Sequence, residues 1–566
     1  MRVFSAAVAL GLSLGVAAGG AAAAPSAAAP SAAEIAAVSP ASVATQVSII
    51  APLTVPSGSG GLLSAETLTD YTGPSGLLTR QLDAVAGKAL TVAIDPLIVA
   101  SIRVLGTSAP ESARGWLERL SLISNEVVPL PYANSDPTLV TQTGREEILG
   151  PISFDFALNP ANFAAADESE TTETQAPMDV GTDVVPPYPT SGELVAWDYA
   201  IDGFVRPRSN TVVADDIAVL AAANFSTTVL SSTNVSRDPG AGSVVMIDGM
   251  TALIADSAAS TAMDEALGST LDRDVPAAEA ELVSSVLAAG ASQAAETGSV
   301  LITIDHSLEL SSARLDTALA SLSSSPSITL VPLTTLASAT PAAATISDLP
   351  QSEARINDVG QLLAATQEER TFFSIAADPE ALIAARRLAL LDVLGTNAPS
   401  DSVDASGDDA SADWLATVNS FLADSRDLRA AVTVVESSDF LLLADNSFLP
   451  VSVSNALNQP VTVYITVSPR TGLLAVGAQR VELTIEANSQ ARGNIPVQSL
   501  SNGVVDVEIS LTSSTGLEIG TRTVSKINVQ AGWETLIVLA FAALVVVIFS
   551  VGFVRSIVRR RKPVDD

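Results

Sequence analysis

Between residues 46 and 345 the apolar positions follow two alternating spacings. Continuous apolar runs of strand length occur at VSIIAPL (47–53), ALTVAIDP (89–96), EVVPLPYA (126–133), ELVAWDYA (193–200), STTVLSS (226–232), SVVMIDGM (243–250), SVLITIDHS (299–307) and SITLVPLT (327–334). Between them lie ESARGWLERLSLI, SNTVVADDIAVLAAA and AEAELVSSVLAAGASQAA, whose apolar residues recur at helical spacing. Buried parallel strands read as unbroken Val/Ile/Leu runs, so the alternation predicts an α/β fold. About seven or eight strand–helix units predict a closed or nearly closed β/α barrel over residues 46–345. The acidic, Pro-rich stretch 162–192 reads as a long loop on that barrel.

Past Thr345 the spacing changes twice. Residues 346–430 are helical in pattern, with EARINDVGQLLAAT, DPEALIAARRLALLDVLG and WLATVNSFLADSRDLRA. Residues 431–530 carry short alternating strands such as FLPVSVSNAL, PVTVYITVSP, QRVELTIEA and GVVDVEISL. That periodicity predicts an immunoglobulin-like β-sandwich, here without a Cys pair. The last change is at Leu536–Val554, an uncharged run of nineteen residues. At about 1.5 Å per residue it spans about 28 Å, the hydrocarbon thickness of a bilayer, and so predicts a single transmembrane helix. Trp533 precedes it, and Arg555, Arg559, Arg560, Arg561 and Lys562 follow in the tail 555–566. The positive-inside rule puts that tail in the cytoplasm. Residues 1–24 combine Arg2, an apolar core and a run of alanines, the pattern of a signal peptide; the Ala/Ser/Pro-rich residues 25–45 read as a flexible leader. Together these place the bulk of the chain outside the cell membrane.

Composition narrows the chemistry. With 62 acidic residues against 28 Lys and Arg, the formal charge is −34. A field of that sign repels nucleic acid and anionic headgroups, so no nucleic-acid partner is expected. Cysteine is absent and histidine occurs once. Disulfides, thiolate metal sites and cysteine nucleophiles are thereby excluded, and a His-based metal centre lacks ligands; no metal and no cofactor is expected.

Several expected strands end in an aspartate: Asp95, Asp198, Asp248 and Asp305. In a β/α barrel such ends converge on one mouth, where two carboxylates about 5–9 Å apart can hydrolyse a glycoside. The structural alternative is helix capping, which Asp95 followed by Pro96 suits well. Tyr132, Trp197 and Tyr199 are aromatic candidates for stacking on sugar rings, against the commoner use of such residues in the core. His306, beside Asp305, is a candidate proton donor or a hydrogen-bonded structural residue. No GxSxG elbow, phosphate-binding loop or GxGxxG run follows a strand.

The segments LTVAIDPLIVASI, WLERL, VVPLPYANSDPTLV and ELVAW give the chain a resemblance to an uncharacterised actinobacterial family of secreted envelope proteins anchored by a C-terminal span. The resemblance covers most of residues 46–560. It implies a role in wall assembly; Tyr132 and Asp136 of the PLPYANSD segment are candidates for binding. The barrel also resembles, distantly, polysaccharide deacetylase and glycosidase barrels. It departs from them in lacking the Asp–Asp pair, the His-x-x-x-His metal motif and a Glu nucleophile. The expected function is binding of cell-wall glycan or an envelope partner through a non-catalytic barrel. The alternatives are a glycan hydrolase using paired Asp, and a scaffold for a membrane complex of wall assembly.

Overall fold

The computed structural model describes residues 44–163, 188–269, 271–294, 297–396, 407–435, 440–442, 446–529 and 533–559. The expected signal peptide, nearly all of the leader, most of the loop 162–192 and the end of the basic tail lie outside them.

Seven parallel strands form a barrel-like ring: β1 (Ala44–Leu53), β2 (Thr91–Ile94), β3 (Val127–Pro129), β4 (Phe204–Val205), β5 (Thr227–Ser231), β8 (Met250–Ala255) and β9 (Thr297–Thr303). Their neighbours follow chain order around the ring, from β1 through β2, β3, β4, β5 and β8 to β9 and back to β1. At the β3–β4 seam there is no ladder; the Ala200 N–H donates to the Val127 carbonyl at 2.8 Å. Two extra strands wedge into the N-terminal half of the ring. β10 (Ile328–Leu330) pairs with β1 below β2, and β7 (Val244–Ile247) pairs antiparallel with β8 below β9. β11 (Ala342–Ile346) and β6 (Val235–Arg237) extend the sheet beyond β7.

The strands are apolar on both faces because both faces are covered. Ile50, Ala93, Val128, Phe204, Val229, Leu253 and Leu301, one from each ring strand, meet in a single interior cluster. The interior is thus a packed core and leaves ligand space only at its ends. Outward-facing Ile49, Ala51, Val92, Ile94, Val300 and Ile302 join the surrounding helices in a second, larger core.

Two of the eight expected strands are corrected. ELVAWDYA does not run as a strand: Ser191–Val195 is a short helix. Thr190 accepts from the Glu193 N–H and the Glu193 carboxylate accepts from the Thr190 N–H, a capping box that starts the helix. In SVVMIDGM only β7 belongs to the run, and the ring strand is the MTALIA that follows. Asp248 and Gly249, both at positive φ, form the two-residue turn between them.

Three helices, Glu353–Phe372, Pro379–Val393 and Gly407–Arg429, join the ring to the C-terminal sheets. Glu369 and Arg386 make a bidentate ion pair at 2.8 and 2.9 Å, and the Arg386 guanidinium lies 4.0 Å from the Phe421 ring centre. One buried pair therefore ties all three helices.

The remaining strands form two sheets, β12 (Val432–Val434), β14 (Asn446–Asn455), β18 (Ser489–Ser499) and β16 (Leu474–Val476) in one, and β13 (Phe440–Leu442), β20 (Glu518–Val529), β19 (Gly503–Thr512), β15 (Val461–Pro469) and β17 (Val481–Ile485) in the other. All pairings are antiparallel except β13 with β20. Val461, Val463, Ile465 and Val467 alternate inward along β15 and meet Leu449, Val451 and Val453 of the facing sheet. The final helix, Trp533–Arg559, includes a fully exposed apolar run of 21 residues, Ile537–Ile557, long enough to span a bilayer once.

Candidate functional site

Asp95 ends β2 and caps the helix Pro96–Val104. Its Oδ1 accepts from the Leu97 N–H at 2.9 Å and from the Ala133 N–H at 2.9 Å. It is fully buried, its Oδ2 has no hydrogen-bond partner, and desolvation raises its pKa to about 7. The Ala133 contact reaches a rare backbone segment: Ala133 and Asn134 lie consecutively at φ 56° and 46°, a left-handed conformation costly for residues other than glycine. Asn134, so turned, donates from Nδ2 to His306 Nδ1 at 3.2 Å and to Thr396 Oγ1 at 2.6 Å. His306 Nδ1 is then the acceptor and Nε2 carries the proton of a neutral imidazole. Desolvation and the nearby Arg206 guanidinium push the His306 pKa well below its ordinary value.

The other expected site residues scatter. Tyr132 is buried, packs on Phe154 and donates its hydroxyl to the Gly61 carbonyl at 2.6 Å; burial raises its pKa. Asp136 is buried as the N-cap of Pro137–Thr141, accepting from Thr138 through Oδ1 and from Gln351 Nε2 through Oδ2 at 2.6 Å. Trp197 and Tyr199 pack into the outer core, with Arg103 stacked 5.5 Å from the Trp197 ring. Asp198 is exposed on the connection ahead of β4. The expectation that these three close a strand at the mouth fails because the capping box turns their segment into helix and coil. Asp248, exposed in the hairpin before β8, lies at the end of the ring opposite the mouth. Asp305 alone of the four acids lines the mouth cavity.

That cavity, about 470 Å³, opens where β5, β8 and β9 end in Ser231, Ala255 and Thr303. Arg206, Arg208, Arg355, Asp264, Asp305 and His306 line it. Arg206 is 7% exposed; its Nη2 donates to the Ile304 carbonyl at 3.3 Å, while Nη1 is buried with no hydrogen-bond partner. Burial lowers the Arg206 pKa to about 10, against the opposing pull of Asp305 and Asp264. The Asp305 carboxylate accepts from the Ser307 N–H at 2.8 Å, and the Asp305 N–H donates to Asp264 Oδ1 at 3.0 Å. Arg355 stacks 4.2 Å from the Trp414 ring centre. The helical region closes one side: the Asp136 N–H donates to the Leu394 carbonyl at 2.9 Å and the Thr396 N–H to the Asn134 carbonyl at 3.0 Å. Among the described residues, no group of three or more His, Asp or Glu is arranged to hold a metal ion.

A family model for a family of unknown function (DUF6049) matches residues 36–565. The chain belongs to this family. No curated protein matches the sequence. Among solved structures, the DUF6049 chain is weakly similar to an alpha-amylase from Thermotoga maritima, with TM-score 0.39 and 12% identity over 68% of this chain and 93% of that one. It is also similar to native alpha-2-macroglobulin of E. coli, at TM-score 0.15 and 17% identity, over 18% of this chain and only 7% of that one. A C. elegans MSP family member matches at TM-score 0.14 and 8% identity, over 18% of this chain and 99% of that one.

The DUF6049 mouth contains three residues that the apolar pattern passes over: Arg206, Arg208 and Arg355. β4 is only Phe204–Val205, too short to register as a run. The signal available in the sequence for Arg206 and Arg208 is compositional: VRPR sets two arginines one residue apart in a chain with more than twice as many acids as bases.

Proposed function

We propose that this chain is a membrane-anchored, extracytoplasmic binding protein of the cell envelope that holds a glycan-class ligand in the barrel mouth without turning it over. In this reading residues 1–24 direct export, the two C-terminal sheets are an immunoglobulin-type stalk, and the cations from Arg555 to Lys562 keep the tail inside. The observation that carries it is the cavity of about 470 Å³ at the C-terminal end of the ring strands. It is the size of a small-ligand site and is lined by convergent polar groups. Hydrolysis needs two carboxylates facing one bond; of the four acids expected to supply them only Asp305 reaches this cavity, and the second carboxylate there, Asp264, accepts from the Asp305 N–H while Asp305 itself accepts from Ser307.

The test uses the full-length protein in nanodiscs and soluble peptidoglycan fragments, with binding read by calorimetry and fragment size by mass spectrometry. Wild type is expected to bind without shortening the fragments. Ser209→Trp, a bulky plug at an exposed lining position, is expected to abolish binding. Wild-type affinity in the plugged variant would place the ligand elsewhere, and release of shorter fragments would return the hydrolase reading.

A further inference from the structure

We infer that the ligand group seated deepest in the mouth is an oxyanion, a carboxylate or a phosphate, docked on Arg206. This rests on the mouth being the binding site. The chain carries 62 acidic against 28 basic residues, yet three arginines converge on one cavity. Surface solubility gives no reason for that concentration.

Arg206 is the decisive member. A guanidinium presents five N–H donors in a fixed fork, and burying it is costly unless those donors are matched. Here Nη2 has a 3.3 Å bond to the Ile304 carbonyl, and Nη1 is buried with no partner. The two acids whose fields reach it do not supply the missing bond. The Asp305 carboxylate is turned to the Ser307 N–H and hydroxyl, and Asp264 Oδ1 accepts from the Asp305 N–H. An oxyanion accepts in the plane of the fork and matches that geometry, which neutral hydroxyls do less strongly.

The surroundings favour the same ligand. His306, held by Asn134 through Nδ1, keeps Nε2–H as a second neutral donor on the cavity wall. Arg355, fixed against the Trp414 ring, adds positive charge from the opposite, helical side.

Calorimetry on the full chain in zwitterionic nanodiscs tests this with three probes: N-acetylmuramic acid, inorganic pyrophosphate and the neutral N-acetylglucosamine. At least one anionic probe is expected to bind about tenfold or more tighter than the neutral sugar, and to weaken as salt is raised. Arg206→Gln is expected to lower that affinity about ten- to a hundredfold. Should Arg206→Gln fail to fold, Arg355→Gln, at a partly exposed position, is expected to weaken anion binding and its salt dependence. N-acetylmuramic acid alone among the anions would assign a sugar carboxylate, and pyrophosphate alone a phosphate; either supports the inference. Equal binding of both sugars, unchanged in Arg206→Gln, overturns the oxyanion and leaves the mouth as a glycan site. Failure of all three probes while peptidoglycan fragments still bind and the Ser209→Trp plug blocks them has the same meaning. Failure of the fragments as well overturns the mouth reading itself.

Discussion

The barrel mouth and the C-terminal sheets differ in the kind of buried polar group they leave unmatched: in the sheets it is a serine hydroxyl, Ser525 Oγ, and at the mouth a carboxylate and a guanidinium. Between the sheets, Asn455 is buried but fully engaged: Nδ2 donates to the carbonyls of Gln459, Glu486 and Ile485 at 2.8, 3.0 and 3.3 Å, and Oδ1 accepts from the Leu457 N–H at 2.9 Å. At and beneath the mouth, Asp95 Oδ2 and Arg206 Nη1 are buried without partners, and two non-glycine residues sit at positive φ. A fold built only for stability would resemble the first region throughout. An unmatched carboxylate oxygen and guanidinium nitrogen close to two consecutive strained residues mark a place where selection acted on something besides stability.

The comparison can be broken at several points. The largest effect belongs to the junction between the regions. Glu369→Ala strands the Arg386 guanidinium and is expected to cost about 3–5 kcal/mol in denaturant unfolding. A loss under about 1 kcal/mol would show that the three helices are not held by that pair.

Next is Asp95. Its folded pKa of about 7 lies above its ordinary 3.8, so between those values the native state holds a proton that the unfolded chain releases. Stability from this group is complete below about pH 4 and is lost as pH rises to about 7. Asp95→Asn keeps the Oδ1 acceptor and removes the charge. Its stability relative to wild type should therefore climb by up to about 4 kcal/mol between about pH 4 and 7, then level off. A difference that does not vary with pH would refute the assignment.

In the sheets, where all four bonds of the Asn455 side chain are met, Asn455→Ala is expected to cost about 2–3 kcal/mol by thermal or urea unfolding, with no pH dependence of its own. The smallest effect should come from Arg522→Ala. Its contacts with Glu508 and Glu518 lie on the exposed face of β19 and β20, where solvent screens ion pairs and leaves them little net effect on stability. A larger loss would mean that this surface is covered in the intact protein.

What the sequence disclosed depended on how far each feature reaches along the chain. β1, β2 and β9 were legible because strands buried on both faces read as unbroken apolar runs, and the long apolar helix near the C-terminus because nineteen uncharged residues run without a break. The Asp95–Pro96 cap was legible because it is local. Closure of the ring through a two-residue strand was not, since Phe204–Val205 is held by its neighbours and not by its own pattern. Trp197, Asp198 and Tyr199 were misread because the strand-like run outweighed the Thr190-x-x-Glu193 capping signal just ahead of it. The bond from Asn134 to His306 joins residues 172 positions apart, and the approach of Arg206 to Ile304 joins residues 98 apart. No spacing rule spans such separations.

β20 is the last strand before the long apolar helix, and it is clamped on both edges. β19 runs beside it from Gly503↔Val529 to Thr512↔Glu518, and β13 pairs in parallel from Phe440↔Ile527 to Leu442↔Val529. Tension applied through that helix enters at Val529 and runs along the strand axis, across hydrogen bonds that lie roughly perpendicular to it. The bonds of both ladders are then loaded together and must shear at once, instead of peeling one after another. Resistance to pulling is set by the rate of that single rupture, which makes the last strand a mechanical fuse between the apolar helix and the folded chain that precedes it.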